Sequence, residues 1–334
     1  MIILFLFFTV KHVQKLIFIN VGVYVGSMNF FQIIDPHKAR EFIIINEPFL
    51  KKLVKEEPRE SKRGRKRIAE RWVILALAII ARIEGIAWRK LEEKLSLCDF
   101  LIEEGWMKKI PSKSTFHAVW RATESELLER WIIDLGREIV RKKGLKAMAV
   151  DSSGFKIRQA SVWRFLKWVR GGLKKTSKLF WKIHLIVGLP SRAIVSLAHS
   201  ASNTHDSKVF GLLWQKLPSA LLRPFLRFYG DCAYWTENIV GLLRQHSFFP
   251  VIPPKSNARY PSPPPLGPIV QAHRLYPGLY RHNHHPEYRS SIEHVFGLLK
   301  LSLPPILDRL PSTILSALYS SLLCYNYLLL LRTV

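Results

Sequence analysis

The sequence predicts an α/β fold, in which a mixed sheet flanked by helices follows a helical N-terminal domain. Residues 146–334 alternate short, apolar, β-prone runs with helical patterns, whereas residues 28–145 show helical patterns alone. The 48% hydrophobic content of the 334 residues is ample for a core, which excludes disorder throughout. Acidic residues also end two of the predicted strands, and they give the sheet a candidate site.

The first 27 residues form a doubtful apolar leader. Their two apolar runs are interrupted by Lys11, His12 and Lys15, so neither approaches the ~20 residues that a membrane span needs. A signal peptide is not supported either, because the positive charge follows the first apolar run. Met28 is an alternative start of translation.

Residues 28–145 are predicted to form a helical, DNA-binding domain. A charged entry, SKRGRKRIAERW, leads into the helical run WVILALAIIARIEG. A second helix is predicted at AWRKLEEKLSL, a turn at IPSKS, and one or two helices at TFHAVWRATESELLERWIIDLGREIVRKK. Short helices around such a turn suit a helix-turn-helix-like module. A purely structural bundle explains the same pattern.

Residues 146–334 are predicted to form the sheet-containing catalytic domain. The elements occur in the order strand, strand, strand, helix, strand, helix, strand, helix, which matches a ribonuclease-H-like topology. The predicted strands are LKAMAVDSSG, FWKIHLIVGLP, AIVSLAHSAS, LRFYGDCAY and FFPVIPPK, and the helices that link the later ones are HDSKVFGLLWQKL and TENIVGLLRQH.

Three acidic residues are expected to meet at one edge of this sheet. Asp151 lies on the first strand, Asp231 follows the fourth, and Glu293 lies on a later helix with an apolar face. Carboxylates are the oxygen ligands that Mg²⁺ prefers, and two ions about 4 Å apart can activate the attacking oxygen and stabilise the leaving oxygen of a phosphodiester. The trio therefore predicts cutting or joining of a nucleic-acid strand. Each acid alone is better explained by turn or surface chemistry, and only the three together predict catalysis.

The charge of the chain favours a nucleic-acid partner. The 51 Lys and Arg against 25 Asp and Glu leave a net charge of +26. A basic surface that has no specific nucleic-acid partner is the alternative. Residues 152–182 mix aromatic and basic side chains, which suits backbone phosphates and base stacking but also a solvated loop. The residues predicted to contact DNA in this segment are Trp163, Arg164, Trp168, Arg170, Lys174 and Lys175.

Other polar features have simpler interpretations. The three cysteines are widely separated and form no CxxC pair, so neither a disulfide framework nor a zinc ribbon is supported. The histidines at 282, 284 and 285 are best explained by a solvated loop or a phosphate contact. Asp206 is interpreted as a helix cap ahead of SKVF. The stretch from Pro261 to Pro268 predicts a stiff linker.

The uncharged C-terminal stretch from Pro311 to Leu331 reaches the length of a membrane span. Serines and Asn326 interrupt it and leave an apolar stripe, so a buried core helix is the preferred interpretation.

The motifs around these acids resemble those of the DDE transposases of bacterial and archaeal insertion sequences. Arg289, Glu293 and Lys300 reproduce the Arg-Glu-Lys part of the Tyr-Arg-Glu-Lys signature of one branch, although Pro286 stands where that tyrosine would fall. Asp231 and Tyr234 resemble the family's Asp-x-x-Tyr. Further motifs that resemble those of the family are Thr204-His205-Asp206, the IPPKSN run and Tyr325-Asn326.

The resemblance implies a catalytic role for Asp151, Asp231 and Glu293, which would bind two Mg²⁺ or Mn²⁺ ions. It implies that Arg289 and Lys300 contact phosphates of the transposon end. The expected reaction is metal-dependent cleavage of the transposon ends, at terminal inverted repeats, followed by strand transfer into target DNA. A homodimer on DNA, a cytoplasmic, nucleoid-associated location and no membrane partner are expected with it.

Three rival functions share parts of this pattern. A DNA-binding relic would keep the fold without catalysis, and a stand-alone nuclease would share the metal chemistry. A membrane-anchored basic protein would use the uncharged C-terminal run.

Overall fold

A five-stranded mixed sheet lies between two layers of helices in the computed structural model. The chain is described at residues 40–51 except 41, 45 and 49, and at residues 68–96, 98–156, 180–258, 263–276, 286–302 and 311–331. The predicted leader at 1–27, the DNA-contact residues between 163 and 175, and the histidines at 282, 284 and 285 lie outside the described residues.

The predicted N-terminal helices are present. The longest predicted stretch is two helices, because Thr123 and Glu124 adopt extended backbone and the Thr123 hydroxyl donates to the Val119 carbonyl at 2.9 Å. The first helix is buried on nearly every side, since all of its residues except Arg71 and Arg82 are apolar. The helices are α1 (Arg71–Ile83), α2 (Trp88–Leu95), α3 (Phe100–Glu103), α4 (Lys113–Ala122) and α5 (Ser125–Lys143).

The sheet has the strand order β3-β2-β1-β4-β5. The first three strands form an antiparallel meander, and β4 and β5 run parallel to β1. This ribonuclease-H-like arrangement confirms the predicted fold class. The strands are β1 (Ala147–Lys156), β2 (Phe180–Leu189), β3 (Ala193–Ala201), β4 (Arg227–Tyr229) and β5 (Phe249–Val251).

The remaining helices cover both faces of the sheet. One of them, α8, was not predicted, because it begins inside the Pro-rich stretch, with Pro268 in its first turn. The helices are α6 (Asp206–Gln215) between β3 and β4, α7 (Glu237–Gln245) between β4 and β5, α8 (Gly267–Leu275), α9 (Pro286–Ser302) and α10 (Pro311–Leu331).

Alternation along β1 divides the core into two clusters. Ala147 and Ala149 belong to the cluster that includes α9 and α10, whereas Met148 and Val150 belong to the one that includes α6 and α7. We call these the α9 face and the α6 face of the sheet. Because both faces are covered by helices, the central strands are apolar on both sides.

The C-terminal helix α10 packs against α5, α1 and the sheet. Within the described chain, Ser312–Leu330 is the one helix long and apolar enough to cross a membrane by length and composition, and 78% of its most apolar window is buried. Such burial agrees with the interpretation of this helix as part of the core.

Asn326 joins three elements at one point in the core. The side chain is fully buried, and its amide accepts from the Ile194 N–H at 2.9 Å. It donates to the carbonyls of Ile194 and Ile132, both at 2.8 Å. Gly136 of α5 contacts the same strand so closely that an added Cβ would lie 1.9 Å from the Ile194 carbonyl oxygen. The junction therefore requires both residues.

Gly136→Ala is expected to lower the free energy of unfolding by roughly 2–4 kcal/mol, because the new methyl group meets backbone that cannot move without disturbing β3. Gly211→Ala in α6 is the matched control, since a Cβ there meets nothing within 4 Å. The control should gain about 0.5–1 kcal/mol from helix propensity. Equilibrium denaturation of both variants measures the difference, and equal effects would contradict the close contact.

Candidate active site

Asp151 and Asp231 lie just beyond the point where the pairing of two neighbouring strands ends. β1 and β4 are paired in parallel as far as Ala149 and Tyr229, which are both buried on the α9 face. Each aspartate lies two residues beyond that pair, and Asp231 keeps extended backbone (φ −82°, ψ 177°). Alternation therefore brings both acids to the α9 face, Asp151 in the middle of β1 and Asp231 just after β4.

Glu293 reaches the same region from α9, which packs against β1. The rings of Phe155 on β1 and Phe296 on α9 lie 6.4 Å apart between centroids. The predicted apolar face of this helix is buried, and Glu293 lies on its exposed side. The residues of the buried face are Ile292, Val295, Phe296 and Leu299.

The electrostatics of Asp151 show that the acids are close neighbours. Burial raises the pKa of Asp151 to about 6, and the charges of Asp231, Asp206 and Glu293 raise the same pKa. The Ser152 N–H, which donates to Asp151 Oδ1 at 2.7 Å, acts in the opposite direction. Asp231 in turn accepts from the Ala233 N–H at 2.9 Å. The structure thus places the other two predicted acids, Asp231 and Glu293, and a fourth acid, Asp206, near Asp151.

The fourth acid, Asp206, corrects the sequence interpretation as a helix cap. His205 is the N-cap of α6, and it makes no side-chain capping bond. The Asp206 carboxylate instead accepts from the Ser152 hydroxyl at 2.9 Å and pairs with Lys182 at 2.5 Å. The available signal was the position of Asp206 soon after β3, whose carboxyl end lies at the same end of the sheet as the carboxyl end of β1.

Two more polar residues lie in this region, and only one of them, Tyr234, was noted in the sequence, as part of the Asp-x-x-Tyr motif. His184 of β2 is fully buried, and its Nδ1 lies 3.6 Å from Asp206 Oδ1. Burial lowers the pKa of His184 to about 4, although the charge of Asp206 opposes that effect. Tyr234 is also buried, and burial raises its pKa well above the usual value, as do the charges of Asp206, Asp151 and Asp231.

The donor chemistry of the site fits a divalent cation. Asp151, Asp231 and Glu293 supply only carboxylate oxygens, and burial together with the neighbouring negative charges raises the pKa of Asp151, an effect that a cation would oppose. Among the described residues, no group of three or more His, Cys, Asp or Glu side chains is already close enough to share one ion.

The predicted basic contacts lie partly on α9. Arg289, Glu293 and Lys300 are spaced by four and seven residues, which places them on one side of this helix. Lys300 is exposed. The remaining predicted DNA contacts lie outside the described residues, as stated above.

Fold and site together define an α/β domain with a ribonuclease-H-like sheet and an acidic centre on its middle strands. Residues 142–307 match the family model of the transposase DDE domain. This match confirms, for these residues, the family that the motifs predicted, and it does not resolve the Tyr-Arg-Glu-Lys branch. Proteins of the family generally use divalent metal ions.

Two further similarities accompany the family match. An uncharacterized protein of Aquifex aeolicus (strain VF5) is 29% identical over 197 residues, which is 57% of this chain and 58% of that protein. The chain thus matches somewhat more than half the length of this relative. The cryo-EM structure of a piggyBac transposase synaptic complex with hairpin DNA aligns with a TM-score of 0.42 and 10% identity, over 90% of this chain and 75% of the other. The fold assignment rests on the strand order and register given above.

Asp151→Asn is expected to raise the free energy of unfolding near neutral pH, in buffer with a chelator. Because the pKa of Asp151 is raised from 3.8 to about 6, the folded chain holds a proton that the unfolded chain has lost between these values. Stability therefore falls as pH rises from about 4 to about 6 and stays lowered above that range, by on the order of 2 kcal/mol. The variant should lack this fall.

Denaturation at about pH 4 and at about pH 7.5 measures the effect of Asp151→Asn. Glu138→Gln serves as the control, because a hydrogen bond from Arg141 lowers the pKa of Glu138. Its neutralisation should give no gain near neutral pH. An Asp151→Asn protein with the same pH dependence as the wild type would show that this carboxyl is not destabilised in the fold.

Proposed function

We propose that this protein is a DDE transposase that cleaves the ends of a transposon and transfers the freed strand into target DNA. The observation that supports this most is the placement of Asp151 and Asp231 just beyond the last paired residues of the parallel strands β1 and β4, with Glu293 on α9, the helix that packs against β1. The same three residues lie inside the matched domain.

The three carboxylates would hold two Mg²⁺ or Mn²⁺ ions. When bound, these ions would lower the pKa of the attacking hydroxyl and neutralise charge on the scissile phosphate and the leaving oxygen. Burial raises the pKa of Asp151 to about 6, so this carboxyl ionises fully only above that value. Asp231 follows the neighbouring strand and Glu293 lies on the exposed side of the covering helix, so DNA is proposed to approach from the exposed side of α9.

The reaction requires no covalent intermediate with the protein. Water would cleave the strand at the element's end, and the 3′-hydroxyl released there would attack a phosphodiester of the target DNA. Carboxylates alone repel DNA, so phosphate contacts must come from basic side chains nearby. Arg289 and Lys300 are proposed to make these contacts on α9, and the segment that contains Trp163, Arg164, Trp168, Arg170, Lys174 and Lys175 is proposed to bind the strand beside it.

The helical domain at 28–145 is proposed to bind the terminal inverted repeats. Trp88 of α2 stacks on Phe116 of α4 with ring centroids 6.3 Å apart, and Glu92 accepts from the Lys113 N–H at 2.8 Å, which fixes the start of α4. The exposed side of α4 is basic, as a helix that enters a DNA groove requires. Its residues are Lys113, His117 and Arg121, each four positions after the one before.

Assembly and location follow from the same reaction. Joining two ends requires two active sites, so a homodimer on DNA is proposed. The net charge of +26 favours association with the nucleoid in the cytoplasm. The Tyr-Arg-Glu-Lys branch is proposed from Arg289, Glu293 and Lys300.

Asp151→Asn, Asp231→Asn and Glu293→Gln should each abolish Mn²⁺-dependent cleavage of the element's end while DNA binding is retained, because each removes a ligand charge with little change of shape. Glu138→Gln on α5 is the control, since this acid pairs with Arg141 of the same helix. Gel assays of nicking and strand transfer measure the outcome. Cleavage that persists in one variant would remove that residue from the site, and nicking without joined products would identify a nuclease.

Lys300→Ala and Arg289→Ala should each weaken binding of the terminal repeats and reduce the salt dependence of binding by about one unit of slope, because each removes one phosphate contact. Arg223→Ala is the matched control. Arg223 is exposed and precedes β4, so it lies at the opposite end of that strand from Asp231. Fluorescence anisotropy at several salt concentrations gives the slopes. Unchanged slopes for both α9 variants would exclude phosphate contacts at these positions.

A further inference from the structure

A second polar cluster lies beneath the acidic centre, on the α6 face of the sheet. Ser152 alternates with Asp151 along β1, and it pairs across the sheet with His184 of β2. Lys182 lies two residues before His184 on the same strand. Asp206 is the first residue of α6, which covers this face, and its carboxylate completes the cluster.

One oxygen of Asp206 is the centre of this cluster. Asp206 Oδ1 accepts from the Ser152 hydroxyl at 2.9 Å and pairs with Lys182 Nζ at 2.5 Å. Nδ1 of His184 faces the same oxygen at 3.6 Å, beyond hydrogen-bond distance. His184 Nε2 lies 2.7 Å from the hydroxyl of Ser200, which holds the ring in place. The position of Asp206 is therefore fixed from several sides.

Ser152 connects this cluster to the acidic centre. Its backbone N–H donates to Asp151 Oδ1 at 2.7 Å, while its hydroxyl donates to Asp206 Oδ1 at 2.9 Å. The hydroxyl bond lies on the α6 face, whereas the N–H bond reaches the side chain of Asp151, which lies on the α9 face. A shift of Asp206 would be transmitted to the peptide that holds Asp151.

The cluster is costly for the fold, which indicates a role other than stability. The side chains of Lys182 and Asp206 are 19% and 13% exposed, so both charges have lost most of their water. Among the described residues, the buried Nδ1 of His184 has no hydrogen-bond partner. An apolar packing of the same residues would avoid these costs, as it does elsewhere on this face, at Ile186 and Val195.

We propose that Asp206 and Lys182 are positioning residues, which act through Ser152 to hold Asp151 in the orientation that binds a divalent cation. This inference rests on the proposed function, because it assumes that Asp151 is a cation ligand. The proposal assigns the cluster no direct contact with substrate.

Two explanations of the cluster predict opposite effects for one variant. If Asp206 and Lys182 act only through their charges, Lys182→Met removes a positive charge and tightens cation binding. If they act by position, the same change frees Asp206 and Ser152 and weakens binding. Ser152→Ala changes no charge, so a purely electrostatic role leaves its affinity unchanged, whereas a positioning role lowers it.

The experiment measures Mn²⁺ binding to the full chain without DNA, from the loss of the free-ion signal in electron paramagnetic resonance. Asp151→Asn defines the part of the binding that belongs to the site. The test variants are Lys182→Met and Ser152→Ala, and the rescue variants are Lys182→Arg and Ser152→Thr. Lys216→Met is the matched control, because Lys216 pairs with Glu129 at 2.7 Å and is 25% exposed, away from the acids.

We expect Lys182→Met and Ser152→Ala to weaken site-specific Mn²⁺ binding about 10-fold or more, the effect typical of residues that orient a metal ligand. Lys182→Arg and Ser152→Thr should restore most of it, and Lys216→Met should match the wild type. Circular dichroism identifies any variant that fails to fold, and Ser152→Ala, which loses one oxygen atom, then decides the result.

Three outcomes would overturn the proposal. Tighter binding by Lys182→Met, or wild-type binding by Ser152→Ala, would reject positioning and leave the proposed function intact. An equal loss in Lys216→Met would show a general loss of stability. Mn²⁺ binding that does not depend on Asp151 would reject the cation site of the proposed function, and the positioning role with it.

Discussion

The parallel pairing of β1 with β4 is the constraint on which the site depends. Its register, Ala149 beside Tyr229, decides that Asp151 and Asp231 lie next to each other on one face. A slip of one residue would move one aspartate to the opposite face of the sheet. Gly230 keeps the strands close at this point, since a Cβ there would lie 3.1 Å from the Val150 side chain. The surrounding helices bury both faces and so protect the register.

The central elements could be predicted from the sequence because their patterns are long and local. The run from Ala147 to Val150 is apolar and ends in an acid, and the order of strands and helices admits few topologies. The role of Asp206 could not be predicted in the same way. Its position at the start of a helix made capping the simpler local explanation, while its actual partners, Ser152 and Lys182, are supplied by other strands. Helix α8 was missed because prolines precede it.

Opposite faces of one strand hold different chemistry, and Ser152 is the residue at which they meet. The α9 face presents acids that repel one another, and burial increases that repulsion at Asp151. On the α6 face, an ion pair and a buried imidazole surround a further carboxylate. Far from this centre, Asn326 and Gly136 join β3, α5 and α10 by close backbone contact. The region of the sheet around Ile194 is thus held by close backbone contacts, away from the polar residues around Ser152.

The chain is strongly basic as a whole, but several of its acids lie together around Asp151. Under the proposed function, the net charge of +26 would attract DNA from any direction, since steering depends on the total field. The carboxylates around Asp151 would oppose that attraction locally, because DNA and the acids have the same sign of charge. A divalent cation would remove this conflict, as it would bind the carboxylates and the phosphate at once. The destabilising burial of Asp151 would then be a cost that cation binding recovers.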